Sequence, residues 1–105
     1  MTAPHVDVKT AAQRFRAGAA TLLDVREPQE LQIAAVPGAM HIPMREIPSR
    51  LAEIPRYRPV LVLCHSGGRS AVVAEWLHAR GYPAENIAGG IDAWADEVDP
   101  EIPRY

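Results

Sequence analysis

Cysteine occurs once in the 105 residues, at Cys64. That count excludes an internal disulfide, a cysteine-rich metal cage and a second thiol that could resolve a disulfide intermediate within the chain. Lysine also occurs once, at Lys9, against ten arginines. Positive charge is therefore carried almost wholly by planar guanidinium forks, which suit oxyanions, although genomic composition produces the same bias. A formal net charge of -2 gives no support to a nucleic-acid partner, which ordinarily presents a concentrated basic face. No apolar run approaches the roughly 20 residues that cross a bilayer, and MTAPHVDVKTAAQRF lacks the basic start and long apolar stretch of a secretion signal. The expectation is a soluble, cytoplasmic chain without membrane contact. The four histidines, His5 and His41 among them, show no compact ligand spacing, so no metal is expected.

What is present reads as one domain over residues 1–105, with an extended, proline-containing tail from about residue 98. VDV at 6–8 is a short strand candidate. Thr10 reads as the N-cap of a helix through AAQRFRAG that ends near Gly18. ATLLDV at 20–25 is a stronger strand, and REPQELQIA holds a short helix with Pro28 in its first turn. A Pro-Gly turn leads into a short strand near residues 39–42, and MREIPSRLAEIP contains one or two helical turns. PVLVLC at 59–64 is the clearest strand: its four successive apolar residues suit a position buried on both faces of a parallel sheet. A helix follows in RSAVVAEWLHARG, with Val72, Val73, Trp76 and Leu77 as its apolar face. Ile87 marks another short strand, and IDAWADEV a last helix in which Trp94 anchors the core. Strands alternating with helices in this way predict a small α/β domain, a mostly parallel central sheet flanked by helices.

The stretch LVLCHSGGRS, 61–70, carries the chemistry. A lone cysteine at a strand end is ordinarily a small buried hydrophobe. Here it is followed by two glycines, an arginine, a serine and an amphipathic helix, and sulfur becomes a nucleophile only as a thiolate. A loop from a strand into a helix N-terminus gathers inward-pointing amides and the positive end of the helix dipole. Gly67 and Gly68 let it turn tightly, with a small residue required at 68; Ser66 and Ser70 supply hydroxyls. Arg69 either neutralises an anion or pairs with a carboxylate and shapes the loop.

These residues resemble the rhodanese-like, single-domain sulfurtransferase family. A cysteine opens a short loop that closes on arginine and serine, here Cys64, His65, Ser66, Gly67, Gly68, Arg69 and Ser70. LLDVREPQE resembles the family's aspartate–arginine segment at Asp24, Arg26 and Glu30. AAVPGAMHIP and NIAGGIDAW resemble two further segments, although Ala34 and Ala35 stand where Gly-His is common. The resemblance implies a rhodanese-like fold and transfer of sulfane sulfur through a Cys64 persulfide. The donor is thiosulfate or a persulfide, and the acceptor cyanide, a thiol or a sulfur-relay protein. It implies no cofactor, and the amides from His65 to Arg69 surrounding the persulfide. Asp24 is either a strand-end cap or local ion pair, or a group that fixes an arginine or loop amides. Arg26 either guides an anionic donor or makes an exposed solvent contact, and Glu30 is structural. Two other readings stand beside this one: a cysteine-dependent phosphatase, whose loops generally have five residues between cysteine and arginine rather than the four here, and a non-catalytic interaction domain.

Overall fold

A computed structural model describes residues 2–105 and places five strands in one parallel sheet. The strands are β1 (His5–Val6), β2 (Thr21–Asp24), β3 (Met40–His41), β4 (Val60–Leu63) and β5 (Ala84–Ile87), ordered β1-β5-β4-β2-β3. Flanking them are helices α1 (Val8–Arg16), α2 (Pro28–Ile33), α3 (Gly68–Ala79) and α4 (Gly90–Glu97), with 3-10 turns at Met44–Glu46 and Pro48–Glu53. The α/β architecture matches the expectation. Among the described residues no helix is long and apolar enough to cross a membrane.

The two-residue period of a strand builds two cores, one on each face of the sheet. Leu22, Leu61, Leu63 and Ile87 pack with Val8 and Ala11 of α1 and with Ile91 and Trp94 of α4. Leu23, Val60 and Val62 point the other way, toward Val73, Ala74 and Leu77 of α3 and toward Ile47 and Ile54. A strand covered on both faces has no solvated side, which is why VLVL is uninterrupted. Each buried aliphatic side chain contributes roughly 1.5–3 kcal/mol of transfer free energy, so β4 is a firm base for the loop that follows it.

That loop leaves the sheet at a topological switch point. After β2 the chain moves outward to β3; after β4 it moves the opposite way to β5. The crevice at the carboxyl ends of such a strand pair is where open α/β sheets take ligands. Register sets Asp24 opposite Leu63, so the segments after these two residues begin side by side.

Four local expectations are corrected. Asp7, not Thr10, caps α1: its carboxylate accepts the Thr10 amide, and Val8 starts the helix rather than ending a strand. The buried stripe of α3 is Ser70, Val73, Ala74 and Leu77, while Val72 is 57% exposed. Small residues at 70 and 74 let α3 approach the sheet closely, which turns Val72 outward and leaves Trp76 half-buried with the Arg80 guanidinium over its ring. The tail is not simply extended. A turn from Asp99 to Ile102 seats Ile102 in the core beside α4, and only then does the chain run out to Tyr105. No atom outside its own helix and chain neighbours lies within 4 Å of where a Cβ on Gly68 would stand, so the steric constraint expected there falls elsewhere.

It falls on Gly90. The start of α4 docks onto the cysteine loop, with the Ile91 amide donating to Cys64 O at 2.9 Å and the Asp92 amide to His65 O at 3.1 Å. These are unpaired N–H groups of a helix N-terminus, satisfied here by the loop's carbonyls. Gly90 has φ +58°, and a Cβ on it would stand 2.6 Å from Cys64 O and 2.5 Å from His65 O. Gly90→Ala is expected to destabilise the fold by about 2–3 kcal/mol through this overlap, measured by urea unfolding. Gly68→Ala, which meets open space at a helix start, is expected to be neutral or stabilising by up to about 1 kcal/mol.

Candidate active site

Cys64 is the first residue beyond β4 and is 1% exposed. Its Sγ accepts the Gly67 amide at 3.1 Å and lies 3.2 Å from the Ser70 hydroxyl. Gly67 reaches this geometry with φ +112°, a backbone state that favours glycine, as the residue preceding α3. A Cβ there would also press on the Gly89 amide at 3.3 Å. Among the described residues the Gly67 amide is the one loop amide that donates to the resting Sγ. With the Cys64 and His65 carbonyls turned toward α4, the sulfur faces donors on its polar side. Its other contacts are the aliphatic core beneath the sheet.

Arg69 resolves its two expected roles in favour of the carboxylate. Its terminal nitrogens fork onto Glu30 at 2.7 and 2.9 Å. Glu30 also accepts the Glu27 amide at 2.8 Å and the Tyr105 hydroxyl at 2.9 Å. The Arg69 hydrogen bonds above all hold the Glu30 carboxyl at about 2, well below its ordinary 4.5, and Glu30 in turn raises Arg69. Tyr105 stacks flat on the His65 ring, with centroids 3.9 Å apart and planes 5° from parallel. His65 Nε2 is buried 3.1 Å from Asp92 Oδ1 but off the line of a good hydrogen bond. Ser66 is exposed at the loop's outer edge.

Asp24 and Arg26 meet each other rather than the sulfur. Both are fully buried. The Arg26 guanidinium holds Asp24 through Nε and Nη2, the latter at 2.7 Å, and donates onward to Ala34 O at 2.8 Å and to the Tyr105 hydroxyl at 2.9 Å. Asp24 also accepts the Arg26 amide at 3.0 Å. Both readings of Asp24 hold together: it caps the strand end through the Arg26 amide in a local ion pair, and in doing so it fixes that arginine. Both readings of Arg26 are overturned, because a guanidinium without exposed surface neither contacts solvent nor reaches toward a donor. Glu30 is structural, as expected.

Two residues of this constellation escaped sequence reasoning. Asn86 on β5 accepts the Ser70 hydroxyl at 2.6 Å and is 4% exposed. A polar residue inside an otherwise buried strand was the available signal. Tyr105 had none, since nothing local in PRY shows that its ring returns to residue 65.

The Rhodanese-like domain family model matches residues 7–97. The chain belongs to the rhodanese-like domain family. It is 43% identical over 91 residues to the Rhodanese-like/PpiC domain-containing protein 12, chloroplastic, of Arabidopsis thaliana, covering 82% of this chain and 30% of that protein. It is 39% identical over 93 residues to a sulfurtransferase of Allochromatium vinosum, covering 87% of each. Among solved structures, reduced Bacillus anthracis CoADR-RHD superposes with a TM-score of 0.88 at 30% identity, over 95% of this chain and 18% of that one. The chain thus spans less than a third of the Arabidopsis relative and less than a fifth of the Bacillus anthracis chain. Tyr105 lies beyond the matched segment, so its clamp on the cysteine loop is additional to what this rhodanese-like chain shares with the family model.

Removing one partner of a buried pair leaves an uncompensated charge. Asp24→Ala is accordingly expected to destabilise this rhodanese-like domain by about 3–5 kcal/mol in urea unfolding. Glu30 supplies a pH signature. Its folded value of about 2 lies below the ordinary 4.5, so its contribution is fully present above 4.5 and is lost as pH falls through 2. The stability gap between wild type and Glu30→Gln, measured by denaturant unfolding across pH, is expected to close over that acid window.

Proposed function

We propose that residues 1–105 act as one sulfur-transfer domain in which Cys64 carries sulfane sulfur as a persulfide. The observation that carries this reading is the Cys64 sulfur at the sheet's switch point, facing the Gly67 amide and the Ser70 hydroxyl. The sulfurtransferase name of the Allochromatium vinosum relative supports it. In the first half-reaction the Cys64 thiolate attacks the outer sulfur of thiosulfate. The sulfur–sulfur bond of the donor breaks and its electron pair leaves on sulfite, so Cys64 holds one extra sulfur bearing the negative charge. Loop amides and the N-terminus of α3 favour that charge. In the second half, cyanide or a thiolate attacks the outer sulfur, takes it as thiocyanate or a new persulfide, and returns the Cys64 thiolate. This is a ping-pong cycle. Sulfur supplies the electrophile itself. A sulfur-relay protein is an equivalent acceptor, and a reducing cytoplasm keeps the lone thiol available.

Arg69 weighs against phosphoryl transfer. A phosphatase needs its arginine fork on the equatorial oxygens, whereas both terminal nitrogens of Arg69 are engaged by Glu30. The four-residue spacing from Cys64 to Arg69 is also tighter than the phosphatase pattern. Treatment with thiosulfate is expected to add the mass of one sulfur atom to the intact protein, and cyanide to remove it. Cys64→Ser is expected to abolish the adduct and turnover while leaving the circular dichroism spectrum unchanged. Turnover that persists without Cys64, or hydrolysis of a phosphate ester in place of sulfur transfer, rejects the assignment.

A further inference from the structure

A serine hydroxyl carries one proton and can donate it once. At Ser70 two acceptors compete for it: Cys64 Sγ at 3.2 Å and Asn86 Oδ1 at 2.6 Å. Ser70 and Asn86 are both buried, so bulk water does not relieve the competition. On its far side Asn86 meets the exposed His5, with Nδ2 3.0 Å from the ring Nδ1. An imidazole nitrogen accepting there holds the amide with its NH2 toward His5 and its oxygen toward Ser70. The chain of contacts runs from edge strand β1 through β5 and α3 to the sulfur, with one proton deciding its direction at Ser70.

We propose that Asn86 is a positioning residue for the Cys64 reaction: seated by His5, it draws the Ser70 proton away from Sγ and so withholds one donor from the thiolate. The inference rests on Cys64 being the reacting thiol. For the thiolate to gain the hydroxyl, Ser70 must turn and leave the buried Asn86 oxygen without its bond, a cost comparable to one neutral hydrogen bond. In the persulfide the charge sits on the outer sulfur, the inner one needs the hydroxyl less, and Ser70 keeps its bond to Asn86 unchallenged. The network thus favours the sulfur-loaded state over the bare thiolate. It also moderates the reactivity of the empty site.

The test follows iodoacetamide alkylation of Cys64 against pH, a readout that needs no sulfur donor and stays informative even if sulfur transfer is absent. Asn86→Leu removes the competing acceptor. Its alkylation profile is expected to move toward acid by about 0.5–1 pH unit, equivalent to about 3–10-fold faster alkylation where thiolate is the minor form. In a Ser70→Ala background the same substitution is expected to leave the profile in place, because no hydroxyl remains to redirect. His5→Leu, on the exposed edge strand, unpins the amide without touching the core and is expected to shift the profile the same way by a smaller amount. It decides the matter if Asn86→Leu does not fold. Profiles unmoved by both Asn86→Leu and His5→Leu, or an Asn86→Leu shift that persists undiminished without Ser70, overturn the proposal.

Discussion

A guanidinium with no exposed surface must find every partner inside the protein, and Arg26 imposes that demand at the site's outer wall. Its charge is met by Asp24 at the end of β2, its spare donors by Ala34 O and the Tyr105 hydroxyl. Those partners come from three separated parts of the chain, so satisfying one buried cation brings the strand end, the exit of α2 and the tail together. Tyr105 then shares Glu30 with Arg69, which lies in the first turn of α3. The consequence is positional more than energetic. A buried ion pair gains little over well-packed apolar groups, but it is costly to break and admits few alternative geometries.

The same accounting shapes the chemistry. Arginine charges around the cysteine loop are matched locally: Arg26 with Asp24 and Arg69 with Glu30. What remains for the sulfur is a set of dipoles, namely the Gly67 amide, the Ser70 hydroxyl and the start of α3. Such an arrangement suits a diffuse monoanion on sulfur better than a compact multiply charged phosphoryl group, which calls for a free arginine fork. The second helix N-terminus, that of α4, acts from behind. By taking the Cys64 and His65 carbonyls it keeps acceptors away from the sulfur's polar side. Two helix ends thus define one loop, one before the sulfur and one beneath it.

Much of this was legible in the residues. VLVL suited a doubly covered strand, and the CHSGGRS stretch pointed to a loop around a thiol through its conjunction of glycines, hydroxyls and arginine. The apolar face of α3 was less legible. Valine at 72 and serine at 70 invert the usual preference, and only the close approach to the sheet, together with a partner for the Ser70 hydroxyl, makes serine the buried one. Capping of α1 went to Asp7 over Thr10 because both residue types cap well and a three-residue offset cannot be ranked without the backbone.

Local periodicity and loop chemistry are properties of neighbouring residues, and these settled the α/β class, the parallel sheet and the place of Cys64 at its carboxyl edge. Contacts between distant residues are another matter. That Tyr105 reaches back to Arg26, that Arg69 grips Glu30, that Tyr105 lies flat on His65, and that Asn86 competes for the Ser70 proton each join positions from 16 to 79 residues apart. A chain of side chains does not declare such pairings, because which polar group reaches which is decided by the three-dimensional packing that excludes water and leaves each buried donor and acceptor only the partners within reach.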